Sequence, residues 1–565
     1  MGNYALGLDY GTNSCRSVVV DLADGRELGD CVFPYSSGED GILLDPRDPN
    51  LARQHPRDYL EALVETVTGS IRKAAENDPS FSADRITGIG VDTTGSTPIP
   101  VDKNGTPLAL LPAFENNLDA MAWLWKDHTS HSEAELITRK ARDTRPEYLA
   151  KCGGTYSSEW FWCKVLHCRK SSPEVFEAAH SFVEFCDYIP AVLTGNTDPA
   201  KTVRSVCAAG HKALYNEDWG GLPDKEFLAS LDPSLAGLRD RLYSKAVSSD
   251  RQAGRLCEEW AKKLSLPAGI AVAVGAFDAH MGAVGAGVKK GTLVKILGTS
   301  TCDMMVMPEE EELEDIPGVC GIVKGSILPG FYGIEAGQSA VGDTFLWFVN
   351  HLVPDSYGKT NDEKFETLAA AAAGQKPGEH GLLSLDWNNG NRTILVDPRL
   401  TGLLMGQTLH TSAEDIYRAL IEGTAFGALR IVERLQEYGV PVNEIINCGG
   451  LAAKNSLLMQ IYADIMNRPM KVSRSDQTCA VGAAIFGAVA AGKEAGGFAD
   501  VAEAQEAVSG VREKVYRPDP DSHRVYSRLY ALYRQMHDAF GTKEASGNYY
   551  HVMKDLIALR DKQRQ

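Results

Sequence analysis

Apolar positions follow two rhythms along this chain. Short continuous or alternating runs read as strands, and longer stretches spaced at three and four residues read as amphipathic helices. The first rhythm opens the sequence and predicts a β-hairpin over residues 4–22. A helix over 56–77 and a buried strand over 86–92 that ends in an acidic residue follow. The pattern then turns mostly helical, with helices predicted at 134–141, 157–168, 172–180 and 251–264, separated by turn-rich loops such as 216–222. A strand at 269–274 and a small-residue helix at 278–288 close the first half. The second half starts again with a hairpin, in the apolar runs 293–297 and 304–307, and continues with a strand near 330–334. Helices are predicted at 413–438, 455–466 and 479–491, and a charged helical stretch from 523 to 565 reads as a packing appendage. Strands alternating with helices in both halves predict an α/β chain of two domains facing a cleft, 1–289 and 290–565.

At 565 residues the chain is long enough to bury several sizeable cores. A formal net charge of −18 argues against a nucleic-acid partner and against adhesion to an anionic membrane, so an anionic ligand must be held by local donors. Twelve cysteines without C-x-x-C pairs or His/Cys clusters indicate neither a zinc site nor a disulfide framework, which suits a cytoplasmic protein. The N-terminus lacks a basic segment and Asp9 interrupts its apolar run, unlike a secretory signal. The longest apolar stretch, 478–492, is short of the roughly 20 residues a bilayer requires and is rich in Gly and Ala.

The two hairpins share their tips. Gly11-Thr12-Asn13-Ser14-Cys15 and Gly298-Thr299-Ser300-Thr301-Cys302 are nearly alike, and each lies between strand-like runs. A glycine turn beside hydroxyls frees backbone N–H groups that can cradle phosphate oxygens. Either copy alone reads better as an ordinary turn; together they point to two lobes gripping one nucleotide. Asp9, two residues before the first turn, suits Mg²⁺ held through water, or a turn carboxylate bonded to its own backbone. Arg16 on the returning strand suits a terminal phosphate, or a solvated charge. Gly449-Gly450 joins a strand to an amphipathic helix and allows either close approach of a nucleotide or tight packing alone. Asp278 follows a strand at a helix start, where it reads as an N-cap and as a carboxylate able to take a proton from a substrate hydroxyl.

With these parts in order, the chain resembles the FGGY carbohydrate kinases over essentially its whole length, and within them the ribulokinase branch. The resemblance is carried by residues 6–12, 90–97, 157–164, 210–212, 275–280, 298–303 and 335–338, and by Gly449-Gly450. It implies two ribonuclease-H-like domains of the actin-like ATPase type flanking a central cleft, and phosphorylation of the 5-hydroxyl of L-ribulose with ATP and Mg²⁺. It further implies Asp278 as catalytic base and Asp9 as the metal-associated aspartate. Gly11, Thr12, Asn13 and Arg16 match the first phosphate loop, and Gly298, Thr299 and Ser300 the second. Gly337, Gly449, Gly450 and Asn455 fall near the nucleotide, and Ser96, Thr97, Lys212, Glu335 and Asp278 near the sugar. Phe161, three positions before Lys164, and Gln407 depart from the family signatures outside the catalytic motif. Another pentulose or pentitol as substrate (D-ribulose, ribitol, xylulose) and a non-catalytic nucleotide switch are the competing readings, and a homodimer is compatible with the chain.

Overall fold

The computed structural model describes residues 2–543, 545–547 and 552–564. Two mixed sheets dominate it, and they are built alike. In the first, Tyr4–Tyr10 runs antiparallel to Ser14–Asp21, which pairs antiparallel with Glu27–Pro34. On its other side Tyr4–Tyr10 pairs parallel with Ile86–Thr93, and Ala271–Ala273 and then Gln252–Arg255 extend the sheet. In the second sheet, Thr292–Leu297 runs antiparallel to Thr301–Pro308, which pairs antiparallel with Phe331–Ala336. Its other neighbour is again a parallel strand, Glu444–Cys448, followed by Met470–Val472. The two hairpin tips therefore occupy equivalent places in two copies of one architecture, as their sequences predict.

The helices cover these sheets for legible reasons. Pro56–Asn77 starts with proline at its first position, where no backbone hydrogen bond is lost, and buries Tyr59, Ala62, Leu63 and Val67. It lies over the outer two strands of the first hairpin sheet, where Ser17 Oγ donates to Thr66 O at 2.7 Å. Ala413–Glu437 begins with a reciprocal capping box between Ser412 and Asp415. The helix Pro520–Gly541 docks on the second core through Tyr526, whose hydroxyl bonds Glu422, and Tyr533, whose hydroxyl bonds Asp386. It ends at Gly541, and a separate helix, Val552–Arg564, replaces the single helical stretch that the sequence suggests.

The helix Thr478–Ala491 is buried on nearly every side. It crosses from the second half of the chain onto the first sheet, against Tyr4–Tyr10 and Ile86–Thr93, and onto the helix Asp278–Gly285. The approach is so close that only glycine fits. A Cβ at Gly7 would lie 1.7 Å from Ala480 O, at Gly90 1.8 Å from Ala483 O, and at Gly482 1.8 Å from Met281 O. Its all-round apolarity thus marks a helix at the centre of the molecule. Among the described residues no helix is long and apolar enough to cross a membrane.

Helix boundaries move where the fold supplies a partner. The stretch 251–264 divides into the edge strand Gln252–Arg255, which pairs with Ala271–Ala273, and the helix Glu258–Leu264. The predicted helix at 157–168 starts later, at Phe161, and the one at 172–180 shortens to Pro173–Ala178 before a strand at Ser181–Glu184. Replacing Gly90 by valine should lower stability by about 3 kcal/mol or more, because the new side chain meets a backbone carbonyl on a buried helix. Urea unfolding checks this; a wild-type midpoint would contradict the seating described here.

Candidate active site

Register alone brings the first acidic group together. Asp9 sits opposite Arg16 on one neighbouring strand and opposite Asp92 on the other. Arg16 Nε lies 3.7 Å from Asp9 Oδ2. Both Asp92 carboxylate oxygens are buried without a hydrogen-bond partner among the described residues. Burial pushes the Asp9 carboxyl above its ordinary range, with Arg16 opposing. Burial also pushes Asp92 well up, and the neighbouring charges of Asp9 and Asp278 add to it. Desolvated carboxylates facing one another with unused oxygens form an all-oxygen donor set, the kind that suits Mg²⁺.

Asp278 stands beside them, partly exposed, as the first residue of the helix Asp278–Gly285. Phe277, one position earlier, is the N-cap, so the capping role expected of Asp278 is corrected. Instead Asp278 Oδ1 accepts from Ala279 N at 2.7 Å. Burial and then the charge of Asp9 hold its carboxyl up to about 7, while the Ala279 N–H and Lys212 pull the other way.

Across from Asp278, Lys212 Nζ donates to both oxygens of Glu335, at 3.0 and 3.1 Å. Lys212 ends the helix Val206–Lys212 of the first half, and Glu335 lies on the strand Phe331–Ala336 of the second sheet. The pair therefore bridges the lobes. Burial works against ionisation of Glu335, yet Lys212 and then His211 hold its carboxyl far below the usual range. His211 Nδ1 is 3.3 Å from Glu335 Oε2 and His280 Nε2 is 3.8 Å from it. The sequence analysis meets these imidazoles only inside the motifs 210–212 and 275–280 and gives them no role, because only folding brings His211 and His280 to Glu335.

Both hairpin tips keep free donors. Gly11 N closes the first turn on Ser14 O at 2.9 Å, and Gly298 N closes the second on Ser300 O at 3.0 Å. The N–H groups of Thr12, Asn13, Thr299 and Ser300 have no acceptor among the described residues, which is what a phosphate nest requires. Thr12 Oγ1 accepts from Trp125 Nε1 at 3.0 Å, and the adjacent Lys126 acts electrostatically on Asp343, whose N–H donates to Thr299 O. These contacts run from the first tip towards the second. Gly449, at φ 93°, seats against Leu297 O, and Gly342 against Gly298 O and Leu451, so the Gly449-Gly450 turn borders the second tip.

Other expected residues are engaged inside the fold. Gly337 is buried and its N–H donates to Thr393 Oγ1 at 2.8 Å. Asn455 caps the helix Ser456–Met466 through Leu458 N and bonds Tyr417. Ser96 and Thr97 are fully buried: the Ser96 hydroxyl donates to Glu184, and Thr97 N donates to the same carboxylate at 2.9 Å. Lys164 clamps this region from below, donating to Ser96 O at 2.8 Å and to Leu124 O at 2.7 Å. Glu184 belongs to the short strand Ser181–Glu184, which follows the predicted helix 172–180, so no pattern singled it out. Lys164→Met would leave the buried Ser96 carbonyl unsatisfied, while Leu124 O keeps the Asp127 N–H, and should cost about 1 to 3 kcal/mol in urea unfolding. Wild-type stability would remove the clamp.

Residues 4–285 match the N-terminal domain and residues 293–491 the C-terminal domain of the FGGY family of carbohydrate kinases. The chain is 42% identical over 572 residues to the ribulokinase of Shouchella clausii, covering 100% of this chain and 99% of that protein. It is 43% identical over 552 residues to that of Geobacillus thermodenitrificans, covering 96% and 95%. The solved xylulose kinase of Rhodospirillum rubrum superposes with a TM-score of 0.74 at 22% identity, over 95% of this chain and 99% of that one. The glycerol kinase of Plasmodium falciparum with ADP gives 0.74 at 17%, over 95% and 98%. These last two likenesses concern the fold.

Proposed function

This chain belongs to the FGGY family of carbohydrate kinases, and on that premise we propose that it transfers the terminal phosphoryl group of ATP to the 5-hydroxyl of L-ribulose. The observation that carries the reading is the electrostatic interaction of Asp278 with the Lys212–Glu335 bridge on one side and with the Asp9/Asp92 pair on the other. A base, a polar clamp fit for hydroxyls and a phosphate cradle on one crevice are the parts that phosphoryl transfer to an alcohol requires.

Glu335 and Lys212 offer the sugar an ionised acceptor and a donor fixed in place by each other. Ser96 and Thr97 act one layer out: through Glu184 and Lys164 they shape the wall without presenting a hydroxyl. Asp278 orients the reacting hydroxyl and takes its proton. The free N–H groups of Thr12, Asn13, Thr299 and Ser300 approach the phosphates from opposite sides, with Arg16 beside Asp9. Asp9 and Asp92 would hold Mg²⁺, which neutralises charge on the transferring phosphate. Closure of the lobes over the sugar keeps water from accepting the phosphoryl group. All twelve cysteines are free thiols, which suits a cytoplasmic setting.

A coupled assay over L-ribulose, D-ribulose, ribitol and D-xylulose tests the substrate, with the highest kcat/KM expected for L-ribulose. A higher value for another member reassigns the sugar, and ATP turnover with none of them overturns the reading. Asp278→Asn should reduce kcat about 100- to 10,000-fold while ATP binding, followed by calorimetry, stays near wild type. Because the base must be ionised, kcat/KM for the sugar should fall about tenfold per pH unit below about 7. A flat profile down to pH 5 would exclude Asp278 as the titrating group.

A further inference from the structure

Three buried side chains bring ligand-capable atoms together, and two of them carry ring nitrogens left without a hydrogen-bond partner among the described residues. The ligand-capable atoms of His211, His280 and Glu335 all lie within 4.8 Å of one another. His211 Nδ1 and both ring nitrogens of His280 are buried without a hydrogen-bond partner among the described residues. Buried polar atoms left unpaired in this way call for an occupant. Burial, with His280 adding to it, holds the His211 imidazole well below its ordinary range, and burial holds His280 down to about 4. Both rings are therefore neutral at physiological pH, the form that binds a metal.

We propose that His211, His280 and Glu335 form a transition-metal site, with Zn²⁺ as its natural occupant, distinct from the Mg²⁺ site at Asp9 and Asp92. Donor chemistry separates the two: paired imidazoles with one carboxylate favour Zn²⁺, whereas the aspartates offer oxygen alone. The 3.3 Å between His211 Nδ1 and Glu335 Oε2 is about the edge of a tetrahedron with bonds of about 2.0 Å, so that pair needs almost no movement. His280 Nε2, at 3.8 Å from the same oxygen, closes by a few tenths of an ångström.

Ser326 Oγ lies 3.0 Å from His211 Nε2, on the far side of the ring, and fixes its orientation as an outer partner does in metal sites. Lys212 does not block the site, because it bonds both Glu335 oxygens and can keep Oε1 while Oε2 turns to the ion. Three protein ligands leave a tetrahedral ion one open position. An ion there shares Glu335 with the proposed sugar clamp, so ion and sugar compete for it.

Cobalt serves as the optical probe. The chelator-treated full-length protein, titrated with Co²⁺ in excess Mg²⁺ and without sugar, should develop the visible bands of an imidazole-bound, low-coordinate ion at one equivalent. The bands should vanish in His280→Gln and persist in Asp9→Asn. Their absence from the wild type, or their survival in His280→Gln, overturns the site. Anomalous diffraction from zinc-soaked wild-type crystals decides the matter independently of any variant's folding. A peak between His211 and His280 supports the proposal, and zinc found only at Asp9/Asp92 or on the surface refutes it. Because no sugar is present, this outcome stands apart from the substrate assignment.

Discussion

The seat of one helix on one sheet governs this molecule. The helix Thr478–Ala491 comes from the second half of the chain, yet it lies in backbone contact with the strands Tyr4–Tyr10 and Ile86–Thr93 of the first. Glycines on both sides remove every side chain from the contact, so the two backbones approach to a distance that no other residue permits. A rigid, close-packed junction of this kind transmits position with little slack. It places Asp9 and Asp92, at the ends of those strands, under Cys479 at the start of the helix, whose thiol is acted on by Asp9, Asp92, Asp278 and Cys448 together. Cys448 immediately precedes the Gly449-Gly450 turn, so one helix links the acidic groups of the first lobe to that turn of the second.

Electrostatics then sorts the groups that this junction gathers. Five ionisable side chains, Asp9, Asp92, Asp278, Lys212 and Glu335, interact in a desolvated setting, and their environments push their ionisation apart. The Lys212 bridge keeps Glu335 ionised, while Asp278, without such a bridge, is held near neutrality by burial and by Asp9. Separation of carboxyl groups into a permanent anion and one able to exchange a proton is how a fold assigns an acceptor for hydroxyls and a base. Asp9 and Asp92 form a third class, desolvated and facing each other, which a divalent cation would relieve.

A second layer keeps these groups in place. Glu184 gathers Ser96 and the Thr97 N–H, and Lys164 gathers the Ser96 and Leu124 carbonyls, so the loop after Ile86–Thr93 is pinned from two sides. The Leu124–Trp125 segment in turn reaches Thr12. These contacts engage Ser96 and Thr97 inside the fold, where both are fully buried.

The sequence by itself determined the repeated hairpins, because a glycine turn between two apolar runs is a local signal. It also determined the amphipathic helices 56–77 and 413–437 and the motif that carries Asp278, since periodicity and turn chemistry act over a few residues. Only the tertiary structure decided which groups meet. Asp92 faces Asp9 through strand register, Glu335 reaches Lys212 and His211 across two lobes, and Glu184 reaches Ser96 from a strand whose four residues carry no period of their own. The helix at 478–491 reads in sequence as merely apolar, and its partners are fixed by glycines some 400 to 470 positions away. Those pairings depend on shape and desolvation between distant segments, and such terms exist only once the chain has closed on itself.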